Sequence, residues 1–322
     1  MAAVAEPRET TSGTQSPAQN ERGGRHRTYD GRHRTTESDG LSVWATAQST
    51  GPVQRKGRYV AESVKHPARM LPAIAAHAIA HYTQPGDLVL DPMCGIGTTL
   101  VEAVHAGRDA FGVEYESRWS DIADANIKHA HTQGATGRAG VIRGDATQIL
   151  SLVPAALTGQ VALVVTSPPY GPTVHGLVQP GDDGVQKSDN TYNDGTDRGN
   201  LAYRDLTGLA DGFAQILAGC ATLLRPGGFV AVTARPWRKN GQLVDLPSAV
   251  IGAGMRAGLT PVDRCVALLA AVRDGGLVAR PSFFQLQAVR KARTAGTPMH
   301  LIAHEDVLVF QKSETPDGGV VV

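Results

Sequence analysis

The sequence predicts an α/β protein built on a doubly wound, largely parallel sheet of seven strands that closes with an antiparallel pair. Three observations carry this expectation. Short apolar runs such as Leu88–Leu90, Ala110–Val113 and Val161–Val165 alternate with longer segments of helical period, which is the order that βαβ units produce. The run Val161-Ala162-Leu163-Val164-Val165 has no polar break, as a strand covered on both faces of a parallel sheet requires. Val262–Val272 and Asp306–Phe310 read as the closing antiparallel pair.

Taken in order, residues 1 to about 40 are Ser-, Thr-, Gly- and Arg-rich with almost no apolar side chains, and are expected to be a disordered tail. Within it Gly24-Arg25-His26-Arg27-Thr28 recurs as Gly31-Arg32-His33-Arg34-Thr35, read either as a basic arm for phosphates or as a solvated tail. Leu41–Tyr59 is expected to give an edge strand and a basic loop. Leu71–Tyr82 is a helix, started by Pro72 and faced by Met70, Ile74, Ala78 and Ile79. The alternation then runs strand 88–90, helix 98–106, strand 110–113, helix 118–132, short strand 141–142, central strand 161–165 and helix 206–224. Arg225-Pro226-Gly227-Gly228 is expected to turn the chain into strand 229–232, followed by helix 243–257. The domain is bounded at 41–312, with 313–322 a flexible C-terminal tail.

The chemistry-bearing residues gather at strand ends. Asp91-Pro92-Met93-Cys94-Gly95-Ile96-Gly97-Thr98-Thr99 follows the first parallel strand, and its two glycines allow a tight turn and a close ligand. It lacks the Gly-Lys-Ser/Thr ending of a P-loop and the third glycine of GxGxxG, which disfavours a pyrophosphate. Glu114 closes the second strand, where a carboxylate takes both hydroxyls of a ribose. Asp145 follows the third and offers an acceptor to an adenine amine. A nucleoside with a cationic centre beside Asp91, and no pyrophosphate, points to S-adenosylmethionine (AdoMet). After the central strand, Thr166-Ser167-Pro168-Pro169-Tyr170 makes a stiff loop, since neither proline has an N–H for the ladder. It presents a hydroxyl, carbonyls and a ring, a set that suits a planar base with an exocyclic amine.

These two segments resemble the amino-methyltransferases that modify DNA at cytosine N4 or adenine N6. Asp91-Pro92-x-x-Gly95-x-Gly97-Thr98-Thr99 resembles their AdoMet motif, and Ser167-Pro168-Pro169-Tyr170 their catalytic tetrapeptide in the serine form typical of cytosine-N4 enzymes. Lys65-His66-Pro67 through Leu71-Pro72 resembles the segment that closes over the methionine part of the cofactor. The likeness runs from about Ser63 to Phe310, in the motif order of the class without circular permutation. It departs at Met93, where phenylalanine is usual, and in lacking a large separate target-recognition domain. It implies a Rossmann-like class I AdoMet-dependent methyltransferase fold. It also implies cofactor contacts from Lys65, His66, Pro67, Asp91, Pro92, Met93, Cys94, Gly95, Gly97, Thr98, Thr99, Glu114 and Asp145, and catalysis by Ser167, Pro168, Pro169 and Tyr170. The same core is similar to tRNA guanosine-N2 methyltransferases, and an inactive nucleic-acid-binding relative is the third reading.

A net charge of +1 excludes a polycation, so any nucleic-acid surface must be local. Arg235-Pro236-Trp237-Arg238-Lys239 after the fifth strand offers a ring between cations, and Arg290 and Lys291 lie in a second basic segment with Phe283 and Phe284. The Gly171–Asn200 segment, with His175, Lys187, Tyr192, Arg198 and five aspartates, is expected to act as a lid. Three scattered cysteines with no CxxC argue against a zinc site or a disulfide framework, and no apolar run matches a membrane span. The cytoplasm is the expected location, with DNA or tRNA as partner and neither metal nor membrane.

Overall fold

The chain divides at Asp39/Gly40 into two units. The computed structural model describes residues 40–169, 200–239, 242–281 and 283–314, with backbone alone at 177–181, 184–188, 239 and 283–284. The expected N-terminal tail with its repeat, Tyr170, most of the expected lid, and residues 315–322 lie outside the described residues.

The second unit opens with β1 (Val43–Trp44), α1 (Gly51–Arg55) and α2 (Pro72–Tyr82). The alternating part follows as β2 (Leu88–Asp91), α3 (Thr98–His105), β3 (Asp109–Glu114), α4 (Ser117–Thr132), β4 (Ala139–Arg143), α5 (Ile149–Leu152) and β5 (Val161–Thr166). A hairpin, β6 (Leu177–Gly181) and β7 (Gly184–Ser188), precedes α6 (Leu206–Leu223) and β8 (Leu224–Ala234). The chain ends through β9 (Trp237–Lys239), β10 (Gln242–Val244), α7 (Leu246–Arg256), β11 (Thr260–Leu268), β12 (Ala271–Arg273), β13 (Gly276–Val278), α8 (Phe283–Thr294) and β14 (His304–Gln311).

The main sheet has the order β1-β11-β14-β8-β5-β2-β3-β4. From β8 to β4 the pairs are parallel, and β14 runs antiparallel between β8 and β11. Chain direction across the sheet reverses between β2 and β5, the switch point beside which open α/β sheets bind ligands. The expected seven strands and their antiparallel close are therefore present, and β1 adds an eighth, parallel to β11. This is the edge strand expected at the start of Leu41–Tyr59, and it is only two residues long. Buried Trp44 anchors it, with its ring 4.2 Å from that of His77.

Helices cover both faces. Ile74, Ala78, Ile79, Leu100, Ala123 and Ile127 from α2, α3 and α4 share one apolar cluster with Leu163 and Val165 of β5. Phe213, Ile216, Leu217, Val250 and Ala253 from α6 and α7 share the other with Val164. Successive β5 side chains thus enter opposite layers, and every residue of the strand is buried. This explains why the run has no polar break. The 18-residue α6 is apolar enough by length and composition to cross a membrane; Leu209, Phe213, Ile216, Leu217, Cys220 and Leu223 bury its apolar stripe in the protein.

Two expectations are corrected, and one segment without an expected element gains one. Arg225-Pro226-Gly227-Gly228 does not separate α6 from the next strand, because β8 already begins at Leu224. Gly227 takes a left-handed φ of 72°, and the pairs Gly227 N–H to Lys312 carbonyl and Lys312 N–H to Gly228 carbonyl keep the ladder going. The basic loop at 54–59 is partly helix α1, capped by the Thr50 hydroxyl. The second basic segment is helix α8, which places Arg290 and Lys291 exposed on it.

Candidate active site

A cavity of about 430 Å³ opens at the carboxyl ends of the parallel strands, within the range of small-ligand and cofactor sites. Asp91 at the end of β2 and Glu114 at the end of β3 line it, as do Asp145 after β4, Ser167 after β5 and Arg235 after β8. The sheet brings these residues together because each sits at the same edge of a parallel strand.

The glycine loop is held from beneath by Asp91. Its Oδ2 accepts from the Thr99 hydroxyl at 2.7 Å, and its Oδ1 from the Met93 N–H at 3.1 Å. Burial pushes this carboxyl up to about 6, against these hydrogen bonds. Gly97 has a φ of 77° and serves as the N-cap of α3, a conformation costly for any residue with a Cβ. A Cβ there would also meet that of Ala123 at 3.2 Å. Gly95, at φ 53°, faces the His66 ring, whose Nε2 would lie 3.1 Å from an added Cβ.

Glu114 presents both oxygens to the loop: Oε2 accepts from Gly95 N–H at 2.8 Å and Oε1 from Glu116 N–H at 2.9 Å. Burial raises its pKa to about 7, while these two bonds pull it down. A carboxylate has about four lone-pair sites, so each oxygen keeps one for a ligand hydroxyl. Asp145 Oδ1 accepts from Thr147 N–H at 2.9 Å, which fixes its side chain at the cavity wall.

His66 is buried, with its ring 4.6 Å from that of Trp119. Burial lowers its pKa to about 3, so it is neutral at ordinary pH. Nδ1 accepts from Ala68 N–H at 3.2 Å, which leaves the proton on Nε2, over the glycine loop. Cys94 is buried, and burial pushes its thiol well above the ordinary range, so it packs rather than reacts.

Of the expected cofactor residues, His66, Pro67, Asp91, Pro92, Met93, Cys94, Gly95, Thr98, Thr99, Glu114 and Asp145 line the cavity. Gly97 shapes it from the helix cap. Lys65 does not line it; it is exposed at the end of the 3₁₀ turn Ala61–Lys65. Ser167, Pro168 and Pro169 line the cavity, and Tyr170 lies outside the described residues. Among the residues expected to touch nucleic acid, Arg235 reaches the cavity. Trp237 packs against the core cluster of α6 and α7, so less of its ring is available for stacking than the sequence implies. Arg238 is exposed on β9, the side chain of Lys239 is not described, and Arg290 and Lys291 do not line the cavity.

Several functional positions carry no readable sequence signal. Asn126 is fully buried and ties the loop to the preceding segment: its Nδ2 donates to the Ile96 carbonyl at 2.8 Å, and its Oδ1 accepts from Val60 N–H at 2.8 Å. Glu116 lines the cavity and accepts from Asn200 Nδ2 at 3.1 Å. Arg58, expected in a basic loop, instead gives two bonds to buried Glu102, at 2.8 and 2.6 Å, with the Tyr59 hydroxyl also on Glu102 at 2.7 Å.

Strand order, glycine loop and strand-end acids together define a class I, Rossmann-like methyltransferase fold with its ligand site at the switch point. Sequence comparison finds a match over part of the chain: residues 9–125 match the model described as DNA methylase. That stretch holds the glycine loop and Glu114 but not Ser167. The chain is 31% identical over 99 residues to the type II methyltransferase M.HinfI of Haemophilus influenzae, covering 30% of this chain and 26% of that protein. It is also 31% identical over 107 residues to the tRNA (guanine(10)-N2)-dimethyltransferase of Methanocaldococcus jannaschii, covering 33% of this chain and 30% of that one. The matched stretch spans about a quarter to a third of the length of these curated relatives. Among solved structures, TrmN from Thermus thermophilus aligns over 81% of this chain and 53% of its own, with 17% identity and a TM-score of 0.44, too low to carry an argument.

Proposed function

We propose that this protein transfers a methyl group from AdoMet to an exocyclic amino nitrogen of a nucleic-acid base, with cytosine N4 or adenine N6 in DNA as the target. The observation that carries the reading is one cavity shared by the glycine loop after β2 and the Ser167-Pro168-Pro169 loop after β5. These strands are neighbours, so a cofactor on the first loop and a base on the second would be held side by side.

The residues fit such a cofactor. Glu114 keeps two lone pairs for a ribose diol, and Asp145 lines the same cavity, where it would accept from an adenine amine. Neutral His66 adds no charge beside a sulfonium. Bound AdoMet supplies an electrophilic methyl group. On the acceptor side, Pro168 and Pro169 have no N–H, so this loop meets the base with the Ser167 hydroxyl and carbonyl oxygens. Hydrogen bonds from the amine to Ser167 Oγ and the Pro168 carbonyl would draw its lone pair out of the ring. They would then stabilise the positive charge that grows on nitrogen. Tyr170 is assigned to stacking on the base, which must leave a duplex to reach the cavity. No covalent nucleophile is used, in keeping with buried Cys94. The three buried free thiols suit a reducing compartment, the cytoplasm.

A second reading, an RNA guanine-N2 enzyme, is favoured by the match to the tRNA (guanine(10)-N2)-dimethyltransferase. The test is to incubate the full chain with radiolabelled AdoMet and, separately, genomic DNA and total tRNA. Label in DNA supports the first reading. Label in tRNA alone overturns it in favour of the second, and label in neither, with AdoMet bound, overturns both.

A further inference from the structure

The cavity wall also carries two arginines outside the expected cofactor and catalytic residues, one of them, Arg69, within the Lys65–Pro72 segment that resembles the one closing over the methionine part of the cofactor. Arg55 on α1 and Arg69 before α2 both line the cavity and are largely buried. Each donates to a main-chain carbonyl, Arg55 Nη2 to Met70 and Arg69 Nη1 to Ser63 at 2.9 Å. Arg55 Nε is buried without a hydrogen-bond partner among the described residues. Neither guanidinium is in an ion pair with a described carboxylate, and the nearby Glu102 already serves Arg58 and Tyr59. Burial, with the charge of Arg55 added, lowers the pKa of Arg69 to about 10. The carbonyl contacts answer only some of the N–H groups, and Glu102, which also acts on Arg55, already carries Arg58, so the two neighbouring cations at the cavity favour an anion.

The cations continue outward. Leu269, just past β11, lines the cavity, and the β12–β13 hairpin rises from that rim. Arg273 of the hairpin donates to Gln48 Oε1 at 2.6 Å and to the Gln48 carbonyl at 2.7 Å, and Arg280 reaches the same carbonyl at 3.4 Å. Gln48 stands just before the Thr50 cap of α1, the helix that carries Arg55. Both hairpin-side arginines are exposed and lack a described acidic partner. A small carboxylate would need only the inner pair. A line of cations running from inside the cavity to the surface fits a polymer with repeated negative charge.

We propose that Arg55, Arg69, Arg273 and Arg280 form a phosphate track for the substrate strand. The inner pair would hold the phosphate beside the extruded base, and the outer pair the phosphates that follow. This rests on the nucleic-acid reading above and supplies a binding surface for it. It also gives β1 and α1 a purpose: they carry Arg55 and Gln48 to the edge of the site.

The experiment measures anisotropy of a fluorescein-labelled oligonucleotide, as duplex and as single strand, against salt, with AdoMet affinity measured separately by equilibrium dialysis. Each arginine lost from the track lowers the slope of log K against log [salt] by about 0.9 on duplex or about 0.7 on single strand. The Arg273→Gln/Arg280→Gln double variant, altered only at exposed side chains, is expected to lose about twice that with AdoMet affinity unchanged. Arg55→Gln is expected to lose about one such step, which Arg55→Lys restores. An unchanged slope in the double variant overturns the track. So does an Arg55→Gln protein that loses AdoMet affinity while keeping its slope, since the inner pair would then serve the cofactor's carboxylate. A wild-type chain that binds AdoMet but neither oligonucleotide defeats the nucleic-acid reading itself, and the track with it.

Discussion

Replacing Glu114 with glutamine should make the ligand-free protein more stable at high pH while weakening its hold on AdoMet. Burial raises the Glu114 carboxyl from 4.5 to about 7, so the folded protein binds its proton more tightly than the unfolded chain does. The associated stability is fully present below about pH 4.5 and lost as the pH climbs to about 7. The difference corresponds to about 3 kcal/mol, or about 6 °C in Tm at roughly 2 °C per kcal/mol for a domain of this size. Glutamine resembles the protonated acid, since one oxygen still accepts from Gly95 or Glu116 while the other position becomes a donor. The two proteins should therefore melt together near pH 4.5, with the variant about 6 °C higher at pH 8. Asp91, raised to about 6, titrates in both and largely cancels in the difference. Differential scanning calorimetry of both proteins across pH 4–8 measures this. A gap that stays constant with pH would refute the account of Glu114 as a buried, costly acid kept for a ligand. In the wild type, AdoMet affinity should rise with pH and level off near 7, because ribose hydroxyls donate to the ionised form; the variant should lose that dependence.

Three other outcomes are expected. Gly97→Ala should cost about 1–2 kcal/mol from its left-handed φ alone, more with the 3.2 Å approach to Ala123, seen as a lower urea midpoint at unchanged m. Glu102→Ala should cost about 2–3 kcal/mol, because it strands the buried Tyr59 hydroxyl and Arg58, whereas Tyr59→Phe should cost only about 1 kcal/mol; equal losses in chemical denaturation would contradict this. Ser167→Ala should slow single-turnover methyl transfer by about 100-fold and leave AdoMet affinity unchanged; a full rate would remove Ser167 from the amine-holding role.

Much of the fold is legible in the sequence because a parallel sheet imposes patterns on it. β5 is buried on both faces, so its composition alone marks it as central, and Asp91, Glu114, Asp145 and Ser167 follow strands at positions the topology converges. What was not legible depends on partners far along the chain. The edge strand β1 was expected, but not its partner β11, with which its main chain pairs while Trp44 is buried beside His77. Asn126 looks like any polar helix residue until Val60, Ser63 and Ile96 surround it. Arg58 reads as a surface cation, and only the fold places buried Glu102 opposite it. Lys65 adjoins His66 in sequence, yet the 3₁₀ turn leaves it exposed while His66 enters the core. At Arg225–Gly228 a turn motif was absorbed into a strand, because Lys312, just past β14, bonds to the Gly227 N–H and the Gly228 carbonyl.

The central claim is that the methyl group goes to an exocyclic amine. It is tested most directly by digesting the methylated product to nucleosides and locating the added methyl by mass spectrometry against synthetic standards. The account predicts N4-methylcytosine or N6-methyladenine from DNA. A methyl on a ring carbon such as cytosine C5, on a ring nitrogen or on a ribose oxygen would contradict it, because the proposal has the Ser167 hydroxyl and the Pro168 carbonyl holding an amine.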